Sequence, residues 1–519
     1  MLYRPSLVSS TTRSPVRSLV QKLFGSEGFD PLSLDPYLLF DAETSMRGTL
    51  EAFTLDLDPA NPSSLDVITA TRAGIATVTS ASGTVVAASP NTVRVDYSLG
   101  YPAILVEPSS ENLVTHSDFS GGWQDYLINS SAGGGYASQP SRIITATGAN
   151  AAYYIPVATS NGVSYTASIW ARRVSGSGGC NIIYLSSPTA KQSISLTSEF
   201  QKFTATFTGK SGGGNVNFGV DIVNSGDSIE IAMPQVEEGS VPTSYIPNPA
   251  PISSTLNSVT SFEADGSVGG FSNIHVESIA GISGKEVEVE FEIFDYVSGT
   301  AACLMGHAFT PALQVGGSLN ANGIYRGVVT ADSNNRILFR NNSNTDNFTG
   351  KIRNIKVVEV DTSGVRNADD LKITGSAFSD FYNQSEGTFY VESELQRATE
   401  VGFQPFLFDA DNGDGNRVLL YNETAGDVLG LVRAAGAGYQ INLGTHPSVN
   451  TLSRTAFSYK SNNLQGSKDG NSVTPITTAV IPTTINTLNV GSHYTKAENL
   501  YLNGRIRRIL FWPTHSDNL

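Results

Sequence analysis

Cysteine is nearly absent from this chain, with two residues, Cys180 and Cys303, among 519. They stand far apart, in what read as separate folding units. We therefore expect no disulfide, and two such residues cannot build a cysteine metal site. Such a chain suits assembly in a reducing compartment, with stability coming from apolar cores and subunit association. Charge is scarce too: Asp, Glu, Lys and Arg make up 15% of residues, against about 25% in ordinary soluble domains. What charge there is leans acidic, 47 acids to 32 bases, a net of −15. That field repels a phosphate backbone, and no Lys/Arg stripe interleaved with aromatics offsets it, which excludes nucleic acid as a main partner. No apolar run reaches the roughly 18 residues of a membrane-spanning helix. Histidine is sparse: His116, His275, His307, His446, His493 and His515 form no pair at the spacing of a zinc site.

Glycine, by contrast, is abundant at 50 residues, and Ser, Thr and Asn dominate the polar set. Turns that need positive φ use Gly and Asn, and strands favour β-branched residues, so the composition is that of an all-β protein. With 39% hydrophobic residues spread along the chain, it can pack real cores instead of staying disordered. At about 150 residues per domain, three or four units are expected.

Residues 1–45 carry Pro5, Pro15, Pro31 and Pro36, which break any long element. Within them Val16, Leu19, Val20 and Leu23 fall at helical spacing, a short amphipathic segment suited to docking on a partner. A small β region follows over 46–110, with a hairpin at Ile75–Val78 and Val85–Val86 and strands at Val93–Tyr97 and Ala103–Val106. Between 111 and 248, Tyr165–Ala171, Phe203–Phe207, Val216–Val220 and Ile229–Met233 alternate with period two, the pattern of an antiparallel sandwich or jelly roll. A second jelly roll is expected over 249–361. Its strand Val287–Ile293 sets Glu288, Glu290 and Glu292 on one face, which must be solvated, and apolar residues on the other. The ends of the two units, Ile229–Glu237 and Ile352–Val360, resemble each other as an internal repeat would. Residues 362–386 read as a polar linker and 387–519 as a third sandwich. The architecture expected is all-β: tandem antiparallel β-sandwich (jelly-roll) modules after a short irregular or helical N-terminal segment.

Three blocks carry a resemblance. The first runs from Thr71-Arg-Ala-Gly through Arg94-Val-Asp-Tyr97, Ile104-Leu-Val-Glu107 and Glu111-Asn-Leu113 to Ser117-Asp-Phe119. The second is Gln235-Val-Glu-Glu-Gly-Ser-Val-Pro-Thr-Ser-Tyr-Ile-Pro247. The third is Val365-Arg-Asn-Ala-Asp369, then Gly375, Phe378 and Phe381-Tyr382, leading into Glu386-Gly-Thr-Phe-Tyr390. Together they resemble fibre and spike proteins of bacteriophage particles. The two central units are similar to carbohydrate-binding-module jelly rolls. The C-terminal unit, closing with Leu502-Asn-Gly-Arg-Ile-Arg-Arg-Ile509, resembles concanavalin A-like (laminin-G-like) sandwiches. The resemblance implies a virion protein, in tail fibre, tail tip or head spike, attached to other virion proteins through its N-terminal segment. It also implies binding of host surface polysaccharide and assembly as a homotrimer. The Gln235–Pro247 block itself reads as architecture, the last inner strand and its exit turn.

Sugar recognition needs aromatic rings that stack on sugar faces beside amides and carboxylates that bond hydroxyls. Trp123, Tyr126, Tyr136, Tyr153 and Tyr154, in loop-rich sequence, are the candidates, while Trp170, mid-strand, is expected in the core. Asp409, Asp411 and Asp414 lie on a tight Gly-bearing loop. They are candidate calcium ligands, although the 12-residue loop with a terminal Glu is missing and Asx-rich turns look the same. No other cofactor is expected. Catalysis finds less support. Glycoside hydrolysis requires two facing carboxylates about 5–9.5 Å apart. On a concanavalin-like sheet they arrive as Glu-x-Asp-x-x-Glu, whereas Glu392 and Glu394 here are followed by Leu-Gln-Arg. There is no Gly-x-Ser-x-Gly elbow. The expected role is contact without turnover. The rival roles are a purely structural virion component and a polysaccharide-degrading enzyme.

Overall fold

The computed structural model describes residues 53–519 apart from 74–75, 185–190, 249, 252–256, 265–273, 277–282, 306–318, 332–336, 342–347, 362, 397–403, 424–425, 447 and 518. The amphipathic segment expected over residues 14–24 lies outside the described residues. The chain is all-β, and its strands pair antiparallel into sandwich sheets. Its contacts divide it into two compact units, one of residues 71–101 and 108–369, the other of residues up to 70, 102–107 and 370–519.

The first of these units opens with a hairpin in which Ala76–Thr79 pairs with Val85–Ala88. A sandwich of two five-stranded sheets follows. One runs, in spatial order, Gln201–Thr208, Ser164–Ser175, Ser228–Glu238, Ser141–Ala146, Ile128–Ala132. The other runs Lys191–Ile194, Cys180–Ile183, Gly214–Ile222, Ala151–Thr159, Gln124–Tyr126. Period-two alternation decides which side chains meet between them. Tyr153, Ile155 and Val157, side by side with Val216, Phe218, Val220 and Ile222 in one sheet, pack in one core with Ala167, Ile169, Ile229 and Ile231 of the other. Cys180 is buried here as a free thiol, and desolvation lifts it to about 12.

A second sandwich in the same unit is built on the long strands Glu286–Ser298 and Thr349–Asp361, with Gly323–Thr330 at one edge. Val287, Val289, Phe291 and Ile293 enter its core, with Cys303 and Phe339 opposite. Glu292 on the other face takes both arms of Arg353, at 2.9 and 2.7 Å, and the Arg353 guanidinium lies over Phe294. The alternation read from the sequence is therefore realised face by face.

The other unit contains a sheet in which Glu386–Leu395 lies between Ser453–Lys460 and Gly504–Trp512, and Gly504–Trp512 also pairs with Leu55–Leu57 and Ala103–Val106. A further sheet runs Asp370–Thr374, Thr487–Val490, Phe406–Asp411, Arg417–Asn422, Asp427–Ala434, Ala437–Thr445. The stretch read as a linker is structured. Asp370–Thr374 is a strand, Ser376–Ser379 a helical turn, and Phe378, Phe381 and Tyr382 form a buried ring cluster against Phe511. Its polar composition hid three aromatics that anchor it.

Candidate functional site

Seven residues of the three motif blocks, Arg72, Arg94, Asn112, Gln235, Glu237, Tyr245 and Asp369, come together inside the first unit as one polar network. Asp369 is 1% exposed and receives Arg72 Nη1 at 3.1 Å, Arg94 Nε at 3.1 Å, and Arg94 Nη2. Arg72 also donates to the backbone oxygens of Ala88, Ser89 and Thr92, and Arg94 to those of Thr77 and to Ser244 Oγ. Gln235 accepts from Ile246 N at 2.7 Å and donates to Glu237 and to Ser244 O. Glu237 accepts from Ser110 Oγ and from the amide and hydroxyl of Thr243. Asn112 donates to Pro234 O and Ile246 O and accepts from the amides of Val114 and Val236. Tyr245 OH bonds Ser117 Oγ, and its burial raises the phenol well above its usual range. Apart from Arg72 Nε, which has no hydrogen-bond partner, these groups bond to one another and to nearby backbone, the condition under which buried polar groups hold a fold together. The Gln235–Pro247 block is scaffold: Gln235 and Glu237 on the strand tie down Thr243, Ser244 and Ile246 in the turn that follows.

The candidate sugar-binding aromatics separate into three situations. Tyr153 is 3% exposed and points into the core. Trp123 stacks on it at 4.8 Å and donates its indole N–H to His116 O at 2.8 Å. Both are packing residues, a correction that follows from pleat: Tyr153 shares its parity with the core residues Ala151, Ile155 and Val157. Tyr136 is half-buried and stacks on Phe200 at 4.3 Å and against Trp170 at 5.0 Å. The triglycine run 133–135 before it wraps Glu230, which is 1% exposed. The Glu230 carboxylate accepts from Arg172 Nε and Nη2, from Ser141 Oγ and from Gly134 N. The Arg172 guanidinium lies over Phe200. These rings cover one another. Trp170, expected in the core, instead belongs to this outer cluster, on the side of its strand opposite Ile169 and beside a register shift at Ser168/Trp170.

Tyr126 and Tyr154 remain. Tyr126 sits opposite Ala152 and Tyr154 opposite Gln124, so both rings leave the sheet on the face away from the core, as diagonal neighbours. Tyr126 is 55% exposed and Tyr154 is half-buried. Next to them the strand Gly214–Ile222 turns Asn215, Asn217, Gly219 and Asp221 to the same face, with Gly219 opposite Tyr154. Beyond it, Asn181 Nδ2 donates to Asp221 Oδ1 at 2.8 Å, and Ser193 Oγ donates to Asn181 Oδ1 at 2.9 Å. Lys191 Nζ approaches Asp221 Oδ1 at 3.6 Å. Two phenol rings at the sheet margin thus adjoin a row of amides and a carboxylate. Alternation alone, once Tyr153 is assigned to the core, places Tyr154 outward. The row Asn215–Asn217–Asp221 went unremarked in the sequence, although its period-two spacing is visible there.

In the other unit the three candidate calcium ligands do not converge. Asp409 is buried and takes Arg417 Nε at 3.1 Å and Nη2 at 2.6 Å, with Tyr494 N at 2.9 Å. Desolvation raises it to about 6, against the pull of Arg417. Asp411 caps its own turn at Gly413 N and binds Asn489 Nδ2 at 2.6 Å. Asp414, 64% exposed, pairs with Arg433. Among the described residues no group of three or more His, Cys, Asp or Glu is arranged to hold a metal ion. The carboxylates serve a hairpin and two arginines, and do not converge as the calcium expectation required. Glu392 is likewise enclosed. Tyr390 OH donates to it at 2.8 Å, and Arg454 and Arg507 lie at 3.3 and 3.5 Å. No helix among the described residues is long and apolar enough to cross a membrane.

No family model matches the chain, and no curated protein sequence matches it. Solved structures do show likeness. The CBM40 module of the Ruminococcus gnavus IT-sialidase, bound to α2,3-sialyllactose, is 14% identical. The match covers 26% of this chain and 80% of that one with a TM-score of 0.22. The N-terminal CBM22-1–CBM22-2 tandem of Paenibacillus barcinonensis Xyn10C is 11% identical over 49% of this chain and 98% of that one, TM-score 0.22. The heptameric SAP-like pentraxin of Limulus polyphemus is 8% identical over 26% of this chain and 66% of that one, TM-score 0.22. At these identities and scores the likenesses assign neither family nor ligand.

Proposed function

We propose that this chain is a structural and adhesive protein of a bacteriophage particle that binds host-surface glycans by contact, without turnover. The virion part is supported by the resemblance of the three motif blocks, of which Arg72, Arg94, Asn112, Gln235, Glu237, Tyr245 and Asp369 interlock within one unit. The observation that carries the glycan reading is the outward face of Tyr126 and Tyr154 beside Asn215 and Asn217, with the buried Asn181–Asp221 pair adjoining it. Rings supply apolar area for sugar faces, and amides supply donors and acceptors for hydroxyls. Such open faces bind weakly one at a time, and presentation as a homotrimer on a particle, held by the N-terminal segment, raises the effective affinity. Assembly in the host cytoplasm accords with two unpaired thiols.

The test is polysaccharide binding by the full chain and by a Tyr126→Ala/Tyr154→Ala double variant. At about 0.5–1.5 kcal/mol per ring contact, affinity falls roughly 5- to 150-fold, while circular dichroism and Tm stay unchanged. Mass spectrometry of purified particles checks the virion assignment. Particles that contain the protein, together with no binding on a broad glycan array, favour a purely structural role. Release of reducing ends from a polysaccharide overturns the contact mechanism.

A further inference from the structure

We infer that the glycan taken by the Tyr126–Tyr154 face is uncharged; this rests on the reading of that face as the sugar-binding surface and adds the chemical class of its ligand. The inference follows from an accounting of charge. The sandwich over 111–248 holds nine acids and six bases, within a chain of net −15. Four of the six bases are committed. Arg172 is bound to Glu230 and Arg173 to Asp227. Arg142 reaches Ser130 and Tyr153. Lys191, the cation on the candidate face, stands against Asp221. Of the other two, Lys202 donates to Thr243 O and lies in the opposite sheet, next to Trp170 in register. Lys210 lies in the turn beyond Thr159, five residues along the strand from Tyr154, or about 16 Å at strand rise.

A carboxylated or sulfated sugar on this face would therefore meet the Asp221 carboxylate, and Lys191, the cation on this face, is already set against it. An anion partly withdrawn from water beside like charge is strongly disfavoured, and the long-range field of the chain repels it before contact. Hydroxyls meet the opposite situation. The side chains of Gln124, Asn215 and Asn217 each offer donors and an acceptor, and Asp221 adds acceptor capacity. The surface is also extended. Gln124–Tyr126, Ala151–Thr159, Gly214–Ile222 and Cys180–Ile183 lie side by side, a strip about 14 Å across at the usual strand spacing. Such a strip suits a polymer lying across strands better than a single sugar held in a pit.

The experiment is calorimetric titration of the full chain with neutral polysaccharides (a β-glucan and a galactomannan) and acidic ones (alginate and polysialic acid), each at low and high salt. The expected result is binding confined to a neutral polymer. Its affinity is insensitive to salt and falls by about tenfold or more in the Tyr126→Ala/Tyr154→Ala variant. Binding of an acidic polymer that weakens with salt and is lost on Lys191→Gln overturns the inference but leaves the face as the binding site. Neutral binding that survives the tyrosine variant overturns the assignment of the face itself, as does no binding to any of the four polymers.

Discussion

Asp369→Asn is the perturbation that bears hardest on the scaffold. The substitution is nearly isosteric, so it removes charge and leaves volume. In the native unit one carboxylate, 1% exposed, meets two guanidiniums that are themselves almost fully buried. The Asn amide keeps one acceptor oxygen and turns an N–H₂ toward groups that can only donate. Breaking a buried ion pair from one side costs about 3–5 kcal/mol, because the partner stays in low dielectric uncompensated. Here two arginines are stranded, so the upper part of that range applies. That is a large share of the roughly 5–15 kcal/mol that holds a domain folded. Desolvation already lowers the Arg72 pKa, so its charge is held in place by this partner against an opposing burial cost. The assay is urea unfolding followed by tryptophan fluorescence, with Trp123 and Trp170 both in the unit concerned. The expected outcome is a drop of about 4 kcal/mol with an unchanged m-value. A companion variant, Arg72→Met/Arg94→Met/Asp369→Leu, replaces the whole cluster with apolar groups and is expected to lie much nearer the wild type than Asp369→Asn. A loss below about 1 kcal/mol for Asp369→Asn refutes the claim that this cluster behaves as a buried, mutually dependent charge group.

Three further outcomes are expected. A Cβ at Gly133 runs into the Glu230 carboxylate and Ser141 Oγ, whereas one at Gly134 meets nothing. Gly133→Ala therefore lowers stability by about 1–3 kcal/mol and Gly134→Ala leaves Tm essentially unchanged, a contrast readable by thermal melts. His493 is held neutral by desolvation and by Arg417, its pKa pushed down to about 3. The unfolded chain takes up that proton near pH 6.5, so this site loses stability as pH falls from about 6.5 toward 3, at up to about 1.4 kcal/mol per pH unit before solvent screening. His493→Gln flattens that part of the acid limb in denaturant titrations at pH 7 and pH 5. Asp414 is exposed and its pairing with Arg433 is a surface one, so Asp414→Asn costs less than about 1 kcal/mol. Added calcium, followed by differential scanning, does not raise Tm in either protein.

The parts legible in sequence were those governed by local rules. Alternation placed the strands Tyr165–Ala171, Val216–Val220 and Val287–Ile293, and in the last it told the buried face from the open one. The same rule, applied to Ala151–Thr159, separates Tyr153 from Tyr154, but only once the strand is known to run through a stretch that reads as loop. Trp170 shows where the rule weakens. The neighbouring register shifts, and the ring finds partners in Tyr136 and Phe200, residues from other segments whose approach no spacing announces. The aspartates of 409–414 show a different limit. A loop dense in carboxylates looks the same from the sequence whether it binds a cation or two arginines, and Arg433 arrives from the next strand of the sheet. Such pairings depend on register, which only the folded sheet supplies.

The location of the recognisable residues bears on what their resemblance can say. Arg72, Arg94, Asn112, Gln235, Glu237, Tyr245 and Asp369 are recognisable because each is required by a buried partner, and a buried polar group tolerates few replacements. They specify a module and the way its ends are tied together. All but the half-buried Tyr245 are withdrawn from the open surface, so their side chains are spent on the fold. Tyr126, Tyr154, Asn217 and their neighbours lie on a solvated sheet face, where the fold constrains only the parity of a position. A kinship drawn from the first set and a ligand drawn from the second are therefore separate inferences resting on different residues. A variant that removes glycan binding without shifting Tm, beside one that unfolds the unit while leaving the face chemistry untouched, would demonstrate that separation in one protein.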